Sequence, residues 1–103
     1  MLTIHKHSAI LPERLREIIV FLNVTTEDFS KVFEVSTQTV RNWCSGNNPV
    51  PLYVEEKLIR IGINKNFLSG ISKEYVSGSA DILKMIKDYI QFKIELKNKF
   101  FDN

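Results

Sequence analysis

The feature that most constrains this chain is a series of short segments with apolar residues at helical spacing, separated by turn-forming residues. Prolines and glycines stand at positions 12, 46, 49, 51, 62, 70 and 78. Between them, apolar side chains recur every three or four residues, which indicates amphipathic helices. No segment needs a sheet to account for its pattern. The sequence therefore predicts an all-helical fold.

Turn and capping residues predict where six helices begin and end. Pro12 opens the first helix and Asn23 ends it, because proline fits a first turn and asparagine tolerates the left-handed conformation at a helix end. Thr25 and Ser36 have the chemistry of N-caps for the second and third helices. The remaining limits are Gly46 after the third helix, Pro51 and Gly62 around the fourth, Asn64 before a short fifth, and Ala80 to about Lys99 for the last.

Composition excludes several classes of protein. The 103 residues hold 14 Lys and Arg against 12 Asp and Glu, a net charge of +2, which is too small to indicate nucleic-acid binding by itself. The longest apolar run covers residues 18–22, whereas a membrane span needs about 18 residues or more, and no secretory leader is expected. With one cysteine, Cys44, and no zinc-like spacing, we expect no metal, cofactor or disulfide. The default expectation is a cytoplasmic protein with no membrane association.

The segment from Thr26 to Ser45, TEDFSKVFEVSTQTVRNWCS, is the most informative part of the chain. Two short helices joined by a tight turn need apolar residues where they cross and a small residue where their backbones approach. Ser30 is the small residue. The apolar positions are Phe29, Phe33, Val35, Val40 and Trp43, and the outer face of the third helix carries Thr37, Gln38, Arg41 and Asn42.

With its flanks, this segment resembles the lambda-repressor-like family of helix-turn-helix regulators, also called the Xre or Cro/repressor type. The resemblance covers about residues 13–70 and rests on LREIIVFLNVTTEDF, SKVFEVSTQTVRNW, the CSGNNPVP loop and LIRIGINKNFLSG. It implies a compact bundle of about five helices that binds operator DNA as a dimer and is encoded by a bacterium or a phage. Residues 1–70 are then the DNA-binding domain, and residues 71–103 are a connector and a C-terminal helix.

The resemblance also implies roles for individual residues. The helix from Ser36 to Ser45 is expected to enter the major groove, where Gln38 can pair with adenine and Arg41 with guanine. The residues expected to contact bases are Thr37, Gln38, Arg41 and Asn42. Those expected to contact phosphates are Thr25, Thr26, Ser36, Asn47 and Asn48, at helix N-termini or in the loop that follows.

Two positions depart from the family pattern. Glu34 occupies the turn position where the family prefers glycine, so the turn holds either a left-handed glutamate at a conformational cost or a different shape. The loop from Asn47 to Pro51 is neutral where the family is usually basic. We therefore expect modest non-specific affinity for DNA and a stronger dependence on dimer geometry.

The last helix carries an apolar arc of about 200°, twice the width that a helix needs to lie on one surface. One flank of the arc can pack on the helical body, and a second copy of the chain most simply covers the other. The residues expected at this dimer interface are Ile82, Met85, Ile86, Tyr89, Phe92, Leu96 and Phe100.

Two functions remain open from the sequence. The favoured one is a transcriptional regulator, a repressor with no enzymatic activity, that binds a two-fold-symmetric operator in double-stranded DNA. Its further candidate partners are an antirepressor and RNA polymerase, the latter through Glu27, Asp28 and Glu34. The alternative is a protein-interaction module or antitoxin-like adaptor on the same fold, which the neutral loop and the low net charge favour.

Overall fold

The helices form where the turn and capping residues predict them. A computed structural model describes residues 7–76, 78 and 80–101. Its helices are α1 Pro12–Phe21, α2 Thr26–Phe33, α3 Thr37–Ser45, α4 Leu52–Ile61, α5 Lys65–Leu68 and α6 Ala80–Phe101. These described residues contain no strand, and isolated bridges join His7 to Pro51 and Ile63 to Val76. The prediction of an all-helical fold is confirmed.

Side-chain caps explain where α2 and α3 begin. The Thr25 hydroxyl accepts a hydrogen bond from the Asp28 N–H at 3.0 Å, and the Ser36 hydroxyl accepts one from the Thr39 N–H at 3.0 Å. A helix leaves its first N–H groups without intrahelical partners, so each bond satisfies one of them. Both predicted N-caps are therefore confirmed.

In the described part of the chain, two turns contain a left-handed residue other than glycine, namely Asn23 and Glu34, each with φ 58°. In the second turn the Val35 N–H bonds the Ser30 carbonyl at 3.0 Å, and the Glu34 N–H bonds the Lys31 carbonyl at 3.2 Å. This pair of bonds is the Schellman ending of a helix. The turn between α2 and α3 thus keeps the left-handed form with glutamate in it.

A single hydrophobic core joins the helices. α1 packs against α3 and α5, α2 packs against α3 and α6, and α4 packs against α5. From α3, Val40 and Trp43 enter the core and are 0% and 3% exposed. Ile86, Ile90 and Ile94 of α6 belong to the same core. Residues from both parts of the expected 1–70 and 71–103 division therefore share one interior.

The apolar arc of α6 is divided between this core and solvent. Ile86 is 2% exposed and packs within its own chain, so it is not available for the dimer interface at which it was expected. The side chain of Phe100, another expected interface residue, lies outside the described part. Neither α6, with 22 residues, nor any other described helix is long and apolar enough to cross a membrane. The expected interface side chains that remain exposed are Met85, Tyr89, Phe92 and Leu96.

The connector between α5 and α6 follows the surface of the body. The ring of Tyr75 stacks on Phe21 with centroids 4.2 Å apart and lies 4.5 Å from the ring of Phe67. The Asn64 N–H donates to the Tyr75 carbonyl at 2.8 Å. These contacts attach the connector to α1 and α5.

Gly62 offers a test of how closely α6 packs on the body. Its φ is +118°, and a Cβ there would lie 2.8 Å from Cδ1 of Ile86. Gly46 also has a positive φ, +82°, but a Cβ there would meet only Pro12 Cγ, at 3.5 Å. We expect Gly62→Ala to lower the free energy of unfolding by about 2–4 kcal/mol, because backbone strain adds to overpacking.

The matched variant Gly46→Ala adds backbone strain without the steric clash, so its free energy of unfolding should fall by about 1–2 kcal/mol. Urea unfolding followed by circular dichroism measures both variants. Equal losses at the two positions would contradict the close approach of α6 to Gly62.

Candidate nucleic-acid interface

The side chains expected to contact bases lie along the outer side of α3. Gln38 and Arg41 are exposed, and Thr37 and Asn42 are half-buried. The Gln38 side-chain amide donates from Nε2 to Oδ1 of Asn42 at 3.1 Å. This bond joins two side chains one helical turn apart, so their amides form one polar pair beside the arginine.

Thr37 is less accessible than Gln38 because it takes part in the crossing of α2 and α3. Its Oγ1 lies 3.4 Å from Oγ of Ser30. Ser30 is 3% exposed, and its hydroxyl donates to the Glu27 carbonyl at 2.5 Å. The prediction of a small residue at this crossing is confirmed, and Thr37 occupies the edge of the crossing.

A shallow cleft of about 310 Å³ lies where α1, α2 and α3 meet. It is lined by Arg16, Thr26, Arg41, Cys44 and Ser45. The Arg16 guanidinium donates to the Cys44 carbonyl in the last turn of α3, where the helix dipole favours a positive charge. A guanidinium has five N–H donors, so others remain for a ligand. Two arginines beside the N-terminus of α2 give this cleft the chemistry of an anion site.

Arg16 was not identified from the sequence. It lies on the polar side of α1, where a basic residue is also typical of an ordinary solvated surface. The sequence pattern shows on which side of α1 Arg16 lies. It does not show which helix lies beside that side, because this depends on the packing of α1 against α3. Only this packing brings Arg16 and Arg41 to one cleft.

The residues expected to contact phosphates fall into two groups. Thr25, Thr26 and Ser36 lie at helix starts, and of these Thr26 lines the cleft. Thr25 and Ser36 use hydroxyl lone pairs for capping, which leaves the O–H proton of Thr25 available for donation. Asn47 and Asn48 form the second group and are exposed in the loop after α3.

The loop after α3 folds back on the helix that precedes it. The Asn48 N–H donates to the Asn42 carbonyl at 3.2 Å, and the Asn47 N–H approaches the Ser45 hydroxyl at 3.4 Å. The two asparagine side chains are neutral, so they can offer hydrogen bonds to a ligand but no charge.

The turn between α2 and α3 is attached to the last helix by polar contacts. Nζ of Lys97 lies 2.6 Å from Oε1 of Glu34. On the same side, Nζ of Lys31 donates to Oδ1 of Asn98 at 2.8 Å. The turn that sets the angle between α2 and α3 is therefore held by α6, a connection that the sequence pattern did not indicate.

Comparison of the chain with protein-family models, curated proteins and solved structures found no match. We therefore infer the function from the chemistry of the described residues. Within that part of the chain, no group of three or more His, Cys, Asp or Glu side chains could hold a metal ion. Burial raises the pKa of the Cys44 thiol above its ordinary value of 9.0, which disfavours the reactive thiolate.

The Glu34–Lys97 pair predicts a pH-dependent contribution to stability. The hydrogen bond and positive charge of Lys97 hold the pKa of the Glu34 carboxyl below its ordinary value of 4.5. A carboxyl with a lowered pKa in the folded state stabilises the fold above its unfolded-state pKa, and this contribution is lost as the pH falls through the folded-state pKa. Glu34→Gln should therefore lower the urea midpoint at pH 7.

The difference between Glu34→Gln and the parent protein should shrink as the pH falls below 4.5. Glu56→Gln, which removes one exposed carboxylate from α4, serves as the matched control and should keep the parent's urea midpoint at pH 7. A midpoint difference for Glu34→Gln that stays constant from pH 7 to pH 3 would show that the ion pair does not stabilise the turn.

Proposed function

We propose that this protein is a sequence-specific double-stranded DNA-binding regulator with a lambda-repressor-like helix-turn-helix, acting as a dimer with α3 as the recognition helix. The observation that carries the proposal is the exposure of Gln38 and Arg41 on one side of a helix whose other side is anchored in the core by Val40 and Trp43. An α-helix with side chains is about 10–12 Å across, which suits the major groove at about 12 Å wide.

The side-chain chemistry of α3 suits the edges of bases. Arginine can bond the O6 and N7 atoms of guanine together, and glutamine or asparagine can bond N6 and N7 of adenine. Gln38 and Asn42 are hydrogen-bonded to each other at 3.1 Å, so one amide can orient the other at the base edge. Arg41 is exposed beside them and also borders the cleft.

The cleft supports the same proposal through backbone binding. A phosphate held by Arg16 beside the start of α2 would fix the position of the protein along the duplex, as phosphate contacts do in protein–DNA complexes. The cleft adjoins α3, because Arg41, Cys44 and Ser45 form one of its walls. Backbone anchoring and base contact would then come from adjacent surfaces.

A protein-interaction module or antitoxin-like adaptor is the second candidate. It is favoured by the exposed and neutral loop at Asn47, Asn48 and Pro49, which offers no charge to phosphates. Contacts with RNA polymerase or an antirepressor stay predictions under the first candidate. Selection of bound sequences from random duplex DNA separates the two functions. A palindrome with half-sites about one helical turn apart supports the repressor-like dimer, and failure to enrich any sequence favours the adaptor.

Substitutions on α3 test the recognition helix. Gln38→Ala and Arg41→Ala should each weaken binding to the selected sequence by about 1–3 kcal/mol and relax the preference at one base position. Both side chains are exposed, so the circular dichroism spectrum should remain that of the parent. Fluorescence anisotropy with selected and scrambled duplexes measures the effect, and unchanged affinity for the selected duplex in both variants would disprove the groove assignment.

Arg16 tests the anion cleft separately from base recognition. Arg16→Gln should weaken binding to the selected duplex and to the scrambled duplex equally. It should also reduce the slope of log affinity against log salt concentration by about one. Lys73→Gln removes one positive charge from the connector, outside the cleft, and should leave the slope near that of the parent. If the two variants behave alike, the cleft is not a phosphate site.

A further inference from the structure

α6 leaves a strip of apolar side chains uncovered along one side. The residues of this α6 strip, Met85, Tyr89, Phe92 and Leu96, are 69%, 43%, 59% and 37% exposed. They are spaced by four, three and four residues, which is the heptad pattern of a helix that packs lengthwise against another helix. Other residues of α6 already fill the core of the chain, so folding of this chain does not require the strip to be covered.

One flank of the α6 strip is a groove with cationic residues. The groove lies between α4 and α6 and has a volume of about 430 Å³. Its apolar lining includes Ile61, Ile82 and Ile86, and Lys57 and Arg60 of α4 also line it. Nζ of Lys57 donates to the Val32 carbonyl of its own chain at 3.2 Å, whereas Arg60 is exposed. A side chain that packs against the strip from this direction therefore meets the positive charge of Arg60.

The other flank of the α6 strip carries a row of three acidic side chains, and the exposed Lys84 and Lys99 lie on the same side of the helix. Asp81, Asp88 and Glu95 recur at intervals of seven residues and are all exposed. At 100° per residue they lie beyond Phe92, on the side of the strip away from α4. The acidic row therefore borders the strip on one side, and Arg60 borders it on the other.

We infer that the α6 strip is covered by the α6 strip of a second copy of this chain, with the two helices parallel about a two-fold axis. In a parallel pair, each helix sets one flank against the opposite flank of its partner. The acidic row of each copy then faces the Lys57 and Arg60 side of the other. An antiparallel pair would bring like flanks together and place acidic row against acidic row, which is unfavourable.

This arrangement links assembly to the candidate interface. Ile90 and Ile94 bury α6 against its own chain, and Lys97 pairs with Glu34 in the turn before α3. Two parallel α6 helices would therefore set the relative position of the two α3 helices. The inference rests on the proposed function, because it specifies how the proposed dimer forms. Its tests measure assembly without DNA, so a failure of the α6 dimer can be distinguished from a failure of DNA binding.

Sedimentation velocity of the full chain tests whether the strip is an interface. The parent should have the mass of two chains, and Met85→Glu and Phe92→Glu should each have the mass of one. Val20 is 77% exposed on α1, so Val20→Glu makes the same chemical change away from the strip and should remain a dimer. A monomeric parent, or dimers that survive both changes in the strip, would overturn the inference.

Cysteine cross-linking tests the parallel orientation. In a Cys44→Ala background, Met85→Cys and Leu96→Cys place thiols about 16 Å apart along the helix. A disulfide needs Cα atoms within about 7 Å, so a parallel pair should cross-link in each variant alone under copper-catalysed air oxidation. Cross-linking only in a one-to-one mixture of the two variants would demonstrate an antiparallel pair and overturn the inference.

Charge exchange tests the pairing of the flanks. Asp88→Arg and Arg60→Asp should each shift the dimer towards monomers, because each places like charges opposite one another. The double variant should recover the parent's distribution. Asp88 also pairs with Lys84 of its own helix at 2.8 Å, but such an exposed pair contributes little. Absence of recovery in the double variant would contradict the opposed acidic and basic flanks.

Discussion

The crossing of α2 and α3 is the constraint on which the candidate interface depends. Ser30 permits the two backbones to approach, because a larger side chain would meet Thr37, whose hydroxyl oxygen is 3.4 Å from that of the serine. Beneath the crossing, Val40 and Trp43 are almost fully buried. Once these contacts form, Gln38 and Arg41 on the outer side of α3 are exposed and point away from the body.

The last helix, α6, connects the turn between α2 and α3 to the hydrophobic core. Ile90 and Ile94 attach it to the core, and Lys97 attaches it to Glu34 in the turn. A left-handed glutamate is less favourable than a left-handed glycine, but glycine would have no carboxylate for the lysine. The left-handed glutamate at this turn therefore has a structural counterpart, Lys97, 63 residues further along the chain.

The parts of the fold that could be predicted depend on interactions between residues close in sequence. The bonds from Asp28 to Thr25 and from Thr39 to Ser36 span three residues, so the capping chemistry was sufficient to locate both helices. The left-handed conformation of Asn23 follows from the same kind of local preference. The candidate base-contacting residues could be predicted because they lie on one side of a single helix, and helical periodicity indicates which residues share that side.

The sequence by itself determined the helices, their limits and which side of each is apolar, because these depend on backbone hydrogen bonding and periodicity within a few residues. Tertiary structure alone decided that Arg16 joins Arg41 in a cleft, that Ile86 turns into the core, and that Lys97 reaches Glu34. Each of these outcomes depends on which helix surfaces meet. Many pairings bury similar apolar area, and only close packing of the complete set of side chains selects one of them.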